Sequence, residues 1–173
     1  MTTASGLWPA LRANTADPDD LPVAVGLVSG AQLRGRLARR GAEHILDRLN
    51  NWPDPMLQLD ATTHAGRASA RLVVARSELA WMCPLQVGAG DRQPKAGPTP
   101  AGRSVLAHVG PFEVRGTPQV FHQIDWADFL LACSSDGRFF ALADAHVAGP
   151  DTNFDIPVLA VNAARVAALV ALD

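Results

Sequence analysis

Four arginines fall within seven positions, Arg34, Arg36, Arg39 and Arg40. They form the densest positive charge in the chain. Planar guanidinium forks match phosphate and carboxylate oxygens, so this cluster is the candidate contact for a phosphate or an acidic partner. Little else is arranged for chemistry. His44, His64, His108, His122 and His146 show neither the i,i+4 nor the His-x-His spacing that places two metal ligands on one element. His122-Gln-Ile-Asp125 and Asp144-Ala-His146 are the two places where a histidine and a carboxylate sit close in sequence. Ser29, Ser77, Ser134 and Ser135 stand outside any Gly-x-Ser-x-Gly elbow, and no glycine-rich phosphate loop is present. Cys83 and Cys133 lack a Cys-x-x-Cys spacing and read as two buried, reduced thiols. No catalytic residue, no metal site and no cofactor is expected.

The elements that must carry the cluster follow from hydrophobic patterning. The chain has 173 residues, 48% hydrophobic and 18% charged, which is enough apolar material for a packed core. Fifteen basic against seventeen acidic residues give a formal charge of −2, and bulk charge therefore argues against nucleic acid. The N-terminus lacks a basic start followed by an apolar stretch, and the apolar run Val166–Leu172 is too short to cross a bilayer. The expectation is a cytoplasmic protein without membrane insertion.

Two breakpoints divide the chain. Residues 1–20 read as a flexible tail that docks, if anywhere, through Leu7 and Trp8. Residues 87–102 contain three prolines and four glycines within Gly88–Gly102, a composition that sustains neither a helix nor an internal strand. Residues 21–86 and 103–173 then match in the order of their features. Val23–Val28 and Val105–Val109 open each as a strand. Ser29-Gly30 and Gly110-Pro111 turn the chain, and Ala31–Asp47 runs without a gap against Phe112–Asp128, sharing Arg34/Arg115, Gly35/Gly116 and Asp47/Asp128. Helical spacing follows in His44–Asn50 and Asp125–Leu131, then a short strand, Met56–Ala61 against Phe140–Ala145. After a polar loop, 71–85 matches 158–172 without a gap, both as strand, tight turn and strand. For 158–172 a terminal helix remains the rival reading, because alanine, leucine and arginine favour helix.

Gly30 and Gly35 flank Gln32-Leu33-Arg34 in a hairpin that resembles the Gly-x-x-x-x-Gly hairpin of Sm-like proteins. The order of His44–Asn50, Leu57–Ala61 and a late strand pair resembles a bacterial family of uncharacterised proteins with an Arg-Leu-Ser-Asp-x-Leu-Asn-like segment. The resemblance implies a mainly β fold with short helices: two small SH3-like or Sm-like barrels in tandem, an internal duplication. It implies no activity. The Asp-x-x-x-Asn-type loop and late Arg-Gly through which Sm proteins bind RNA have no counterpart, since Arg76 precedes Ser77 and Asn162 precedes Ala163. The Arg-x-x-x-Arg spacing of Arg36 and Arg40 is similar to that of cyclic-dinucleotide-binding PilZ domains, without their second motif.

Asp47 and Asp128 occupy equivalent places in the two helices, where a carboxylate caps a backbone amide or pairs with a hairpin arginine. With Gly30, Gly35 and Gly116 they are read as structural. Trp8, Trp52 and Phe121 are the candidate protein contacts, since interface hot spots favour tryptophan and arginine. The leading expectation is a non-enzymatic adaptor, scaffold or accessory subunit with a protein partner or as a homo-oligomer. Behind it stand an RNA- or nucleotide-binding regulator using Arg34–Arg40 and an enzyme with a site between the modules.

Overall fold

Short apolar-polar alternations separated by glycine turns make antiparallel strands, and the positive φ of Gly30 (90°) and Gly110 (58°) closes the two front hairpins. The computed structural model describes residues 20–37, 45–52, 54–62, 69–86, 103–119 and 125–172. The first half carries strands β1 (Leu21–Leu27), β2 (Gln32–Leu37), β3 (Met56–Thr62), β4 (Ser69–Ala75) and β5 (Leu79–Pro84), with helix α1 (Ile45–Asn51) between β2 and β3. The second half carries β6 (Val105–Val109), β7 (Phe112–Pro118), β8 (Phe139–Gly149), β9 (Thr152–Asn162) and β10 (Val166–Ala171), with helix α2 (Trp126–Ser135) between β7 and β8. The protein is mainly β. The ten strands of the described residues belong to one antiparallel sheet in the order β10-β6-β7-β8-β9-β5-β1-β2-β3-β4.

Each half therefore runs as a four-strand meander whose fifth strand returns beside its first. A 3-10 turn links the fourth strand to the fifth in both, Arg76–Glu78 and Ala163–Arg165. The same register shift follows: Ala80 is skipped between the Leu27–Leu79 and Gly26–Trp81 pairs, and Ala167 between Val109–Val166 and His108–Ala168. Gly35 and Gly116 lie in matching close approaches, where a Cβ would come 3.1 Å from the Asp60 carbonyl and 3.0 Å from that of Ala143. Residues 158–172 form strand, turn and strand rather than a helix.

Two expectations need revision. The segment 146–157, read from sequence as a polar loop, is the far end of a long hairpin in which His146 pairs with Asp155 and Val147 with Phe154. Nor is the sheet closed into separate barrels. Among the described residues β4 does not pair with β5, nor β9 with β10; instead β5 pairs with β9 through Trp81–Val161 and Met82–Ala160. The edge of β5 that would be left bare beyond β1 finds its backbone partners in the other half.

The apolar side chains gather in two cores. One holds Val23, Val25, Leu37, Leu57, Leu59, Leu79 and Met82 beneath Ile45 and Leu49 of α1, and takes Phe139 and Ala160 from the second half. The other holds Val105, Val109, Phe112, Val114, Leu142, Leu159 and Val161 with Phe129 and Leu130 of α2 against it, and takes Ala24, Trp81 and Cys83 from the first half. Alternate residues of the joined strands thus feed opposite cores, which is the period-two geometry of a strand buried on both faces.

Trp81 fills the space above Gly26 and meets the rings of Phe112 and Phe154 edge-on at 5.5 and 5.6 Å. A Cβ on Gly26 would be driven into the indole, 2.7 Å from Cζ2 and nearer still to Cε2 and Nε1. Gly26→Ala is therefore expected to destabilise the protein by about 1–3 kcal/mol, the usual cost of overpacking, as a lowered denaturant midpoint with an unchanged slope.

Candidate functional site

The arginine cluster is only partly described. Arg34 and Arg36 are half-buried on β2, on the face opposite Leu33 and Leu37; Arg39 and Arg40 lie outside the described residues. Arg34 pairs with Ala24, and Ala24 with Cys83, so guanidinium and thiol share one face. Burial lowers Arg34 to about 10, against an opposing pull from Cys83. Burial pushes the Cys83 thiol up to about 12, with the Ala24 amide and the Arg34 charge acting the other way. Arg36 stands opposite Asp60, which also approaches exposed Arg71 at 3.7 Å.

Of the aromatic candidates, Trp8 and Phe121 lie outside the described residues. Trp52 is half-buried: its Nε1–H donates to the Met56 carbonyl at 3.2 Å, its own carbonyl accepts from Arg76, and the Arg48 guanidinium lies 4.9 Å over its ring. Asp47 and Asp128 are both exposed. The cap of α2 is Asp125, three residues earlier than Asp128, whose carboxylate accepts from the Ala127 and Asp128 amides at 2.8 and 3.2 Å. Sequence reading overlooked this, although Asp before an apolar-periodic stretch is an N-cap signal. His146 Nδ1 lies 2.8 Å from Asp155 Oδ1 on the open surface, beside a shallow depression lined by Asp144, Asp155, Ile156 and Pro157. Among the described residues no three His, Cys, Asp or Glu side chains gather to hold a metal, and no helix is long and apolar enough to cross a membrane.

The most constructed region is the junction of the halves. Every residue of β5 is buried. Around it, Asn50 at the end of α1 donates to the Phe139 carbonyl at 2.9 Å and accepts from the Phe139 amide at 2.7 Å. Buried Asn162 donates to the Leu79 carbonyl at 2.9 Å and accepts from the Ala164 amide. Arg165 donates to the Ser77 carbonyl at 2.7 Å, and Arg76 to that of Gly137 at 3.0 Å. Apart from the local Asn162–Ala164 bond, these bonds tie the two halves to each other around the pairing of β5 with β9.

Among the described residues the sheet ends in two edges, β4 and β10, each with a strand on one side only. Neither is protected in the usual way by lysine, proline or an inward charge; Arg71 is the one charged residue in β4, and β10 has none. Four large apolar side chains stand exposed among the described residues: Val73 (49%) on β4, Met56 (42%) on the neighbouring β3 opposite Ala75, Val170 (49%) on β10, and Leu131 (70%) on α2, which packs on the 3-10 turn that leads into β10. The sequence leads to the expectation of a protein partner or a homo-oligomer without pointing to these residues. The signal was present in Val166–Ala171, a strand apolar at every position.

No protein-family model matches this chain, and neither the curated proteins nor the solved structures give a match. The function is therefore argued from the fold.

Removing the Asn50 side chain strands two backbone groups of Phe139. Asn50→Ala is expected to cost about 1–3 kcal/mol, measured by denaturant unfolding. The Cys83 thiol ionises in the unfolded chain near 9 and in the folded chain only near 12. The folded state then holds the extra proton, so the Cys83 contribution is complete well below pH 9 and is lost as pH rises through 9 toward 12, while Arg34, which sheds its proton near 10 in the folded chain and only near 12.5 unfolded, acts in the opposite direction above about 10. A thiol-reactive dye at pH 8 should modify Cys83 only after denaturation, with at most one of the two thiols titrated in the native protein.

Proposed function

We propose that this chain is a non-enzymatic assembly module: two copies of one small SH3-like or Sm-like unit, joined side by side, that engage other protein by strand addition at β4 and β10. The observation that carries this reading is the pair of unprotected sheet edges, both bearing exposed valine, in a protein whose internal strand pairing β5–β9 is itself such an addition. Strand addition takes affinity from main-chain hydrogen bonds and specificity from alternate side chains. The matching strand order, 3-10 turns and skipped alanines of the halves support the reading of two copies.

Affinity purification from the native host tests it. Wild type is expected to retain partner chains that Val73→Lys/Val170→Lys loses, while Arg34→Ala/Arg36→Ala keeps them. Identical retention by the edge variant and loss by the arginine variant would move the site to the arginine cluster and remove this reading.

A further inference from the structure

We infer that the occupant of each free edge is a second copy of this chain: β10 of one copy adds to β4 of the next, repeating between chains the β5–β9 junction formed within the chain. This deepens the strand-addition reading and rests on it. The two free edges are the counterparts of the two strands that meet inside the molecule. β10 holds in the second half the place β5 holds in the first, and β4 holds the place of β9.

The correspondence extends to single residues. Laying 71–85 on 158–172 converts the internal pairs Trp81–Val161 and Met82–Ala160 into Ala168–Val74 and Leu169–Val73 between chains. Val73 then stands where Ala160 stands, and Val170 where Cys83 stands; both counterparts are 0% exposed at the internal junction. Laying 44–50 on 125–131 places Leu131 at the position of Asn50. Met56, paired with Ala75, takes the position of Phe139, paired with Asn162. The Asn50–Phe139 contact thus becomes an apolar Leu131–Met56 contact. The four exposed large apolar side chains among the described residues are accounted for by this one operation: Val73 and Val170 on the edge strands, Met56 on β3 next to β4, and Leu131 on α2. The inner-face counterparts agree: Val166 and Leu169 pack on their own core as Leu79 and Met82 do.

The edges are different strands, so the contact is heterologous and repeats head to tail until it closes on itself. Closure leaves no bare edge, which resolves the aggregation hazard that two unprotected strands present.

Light scattering on the purified full chain is expected to give an oligomer; a monomer would overturn the inference while leaving binding of a different host protein to the purification test. Two variants separate the edges, Met56→Lys/Val73→Lys for β4 and Leu131→Lys/Val170→Lys for β10, all at exposed positions. Each alone is expected to be a monomer with the wild-type circular dichroism spectrum. Their equal mixture should form a 1:1 complex and nothing larger, because one intact β10 meets one intact β4. Oligomers of either variant alone, as β4–β4 or β10–β10 pairing would give, or a mixture that stays monomeric, would sink it. A measurement independent of disruptive variants reads the register. Val73→Cys/Leu169→Cys, with Cys133→Ser, should yield a disulfide-linked ladder on oxidation with diamide. Val73→Cys or Leu169→Cys alone should not; no ladder from the double variant, or one from a single variant, excludes the pairing.

Discussion

The structure depends on β5 being a central strand. It lies between β1 and β9, and each of its six residues is buried. Leu79 and Met82 enter the core of their own half, while Trp81 and Cys83 enter the core of the other. The ladder that joins it to β9 is short, and its net hydrogen-bond stabilisation is on the order of 1 kcal/mol per bond. Burial matters more. An indole that removes roughly 200 Å² from water contributes about 5 kcal/mol at about 25 cal/mol per Å². Separating the halves would expose Trp81, Cys83, Phe139 and Ala160 together, so the ten strands form one cooperative sheet although the chain is organised in two halves.

Apolar burial alone does not choose a register, and the junction assigns that task to polar groups. Asn162 ties β9 to the Leu79 carbonyl, Asn50 ties α1 to both backbone groups of Phe139, and Arg76 and Arg165 reach across to opposing carbonyls. A one-residue slip would leave these buried amides without partners and send Trp81 to the wrong face. The halves also differ in which strand carries the large side chain at one matching position, a buried Trp81 in the first and an exposed His108 in the second. Where the first sets Gly26 beneath Trp81, the second sets His108 beside Ala168. The large side chain sits on the fifth strand in one half and on the first strand in the other.

Most of this frame was legible in the sequence, for physical reasons that can be located. Gly30 and Gly110 mark turns that require positive φ, and alternation in 71–85 and 158–172 survives the skipped alanines because each 3-10 turn keeps the following strand in phase. The far end of the β8–β9 hairpin was lost because its outward residues, His146, Asn153 and Asp155, outweigh the inward Val147, Phe154 and Ile156 in any average of polarity. Period-two spacing in Asn153–Pro157 was the usable signal. The pairing of β5 with β9 was not legible, since strand order across a long connection is a tertiary outcome that no local pattern encodes. Among the candidate residues, Trp52 looked exposed because it sits between asparagine and proline, yet Arg48 and the Met56 carbonyl hold it in place. Of the two roles expected of Asp128, a cap or a pairing with a hairpin arginine, the cap belongs to Asp125, because a cap must precede the helix rather than sit in its first turn.

The two all-apolar strands invite one last comparison. β5, Leu-Ala-Trp-Met-Cys-Pro, is apolar throughout because water reaches neither of its faces. β10, Val-Ala-Ala-Leu-Val-Ala, has the same character, yet its outward residues stand open. A strand covered on one face only is expected to alternate apolar with polar residues, as β9 does between Thr152 and Pro157. The departure from that rule at β10, and the presence of Val73 on the matching edge strand, give both edges the composition of an interior. Under the proposed strand addition, the small residues Ala167, Ala168 and Ala171 would leave room for a second backbone, and the larger Val73, Met56, Val170 and Leu131 would select which one. Main-chain pairing by itself would accept any extended segment; in the proposed assembly the discrimination would come from the side chains at these four positions.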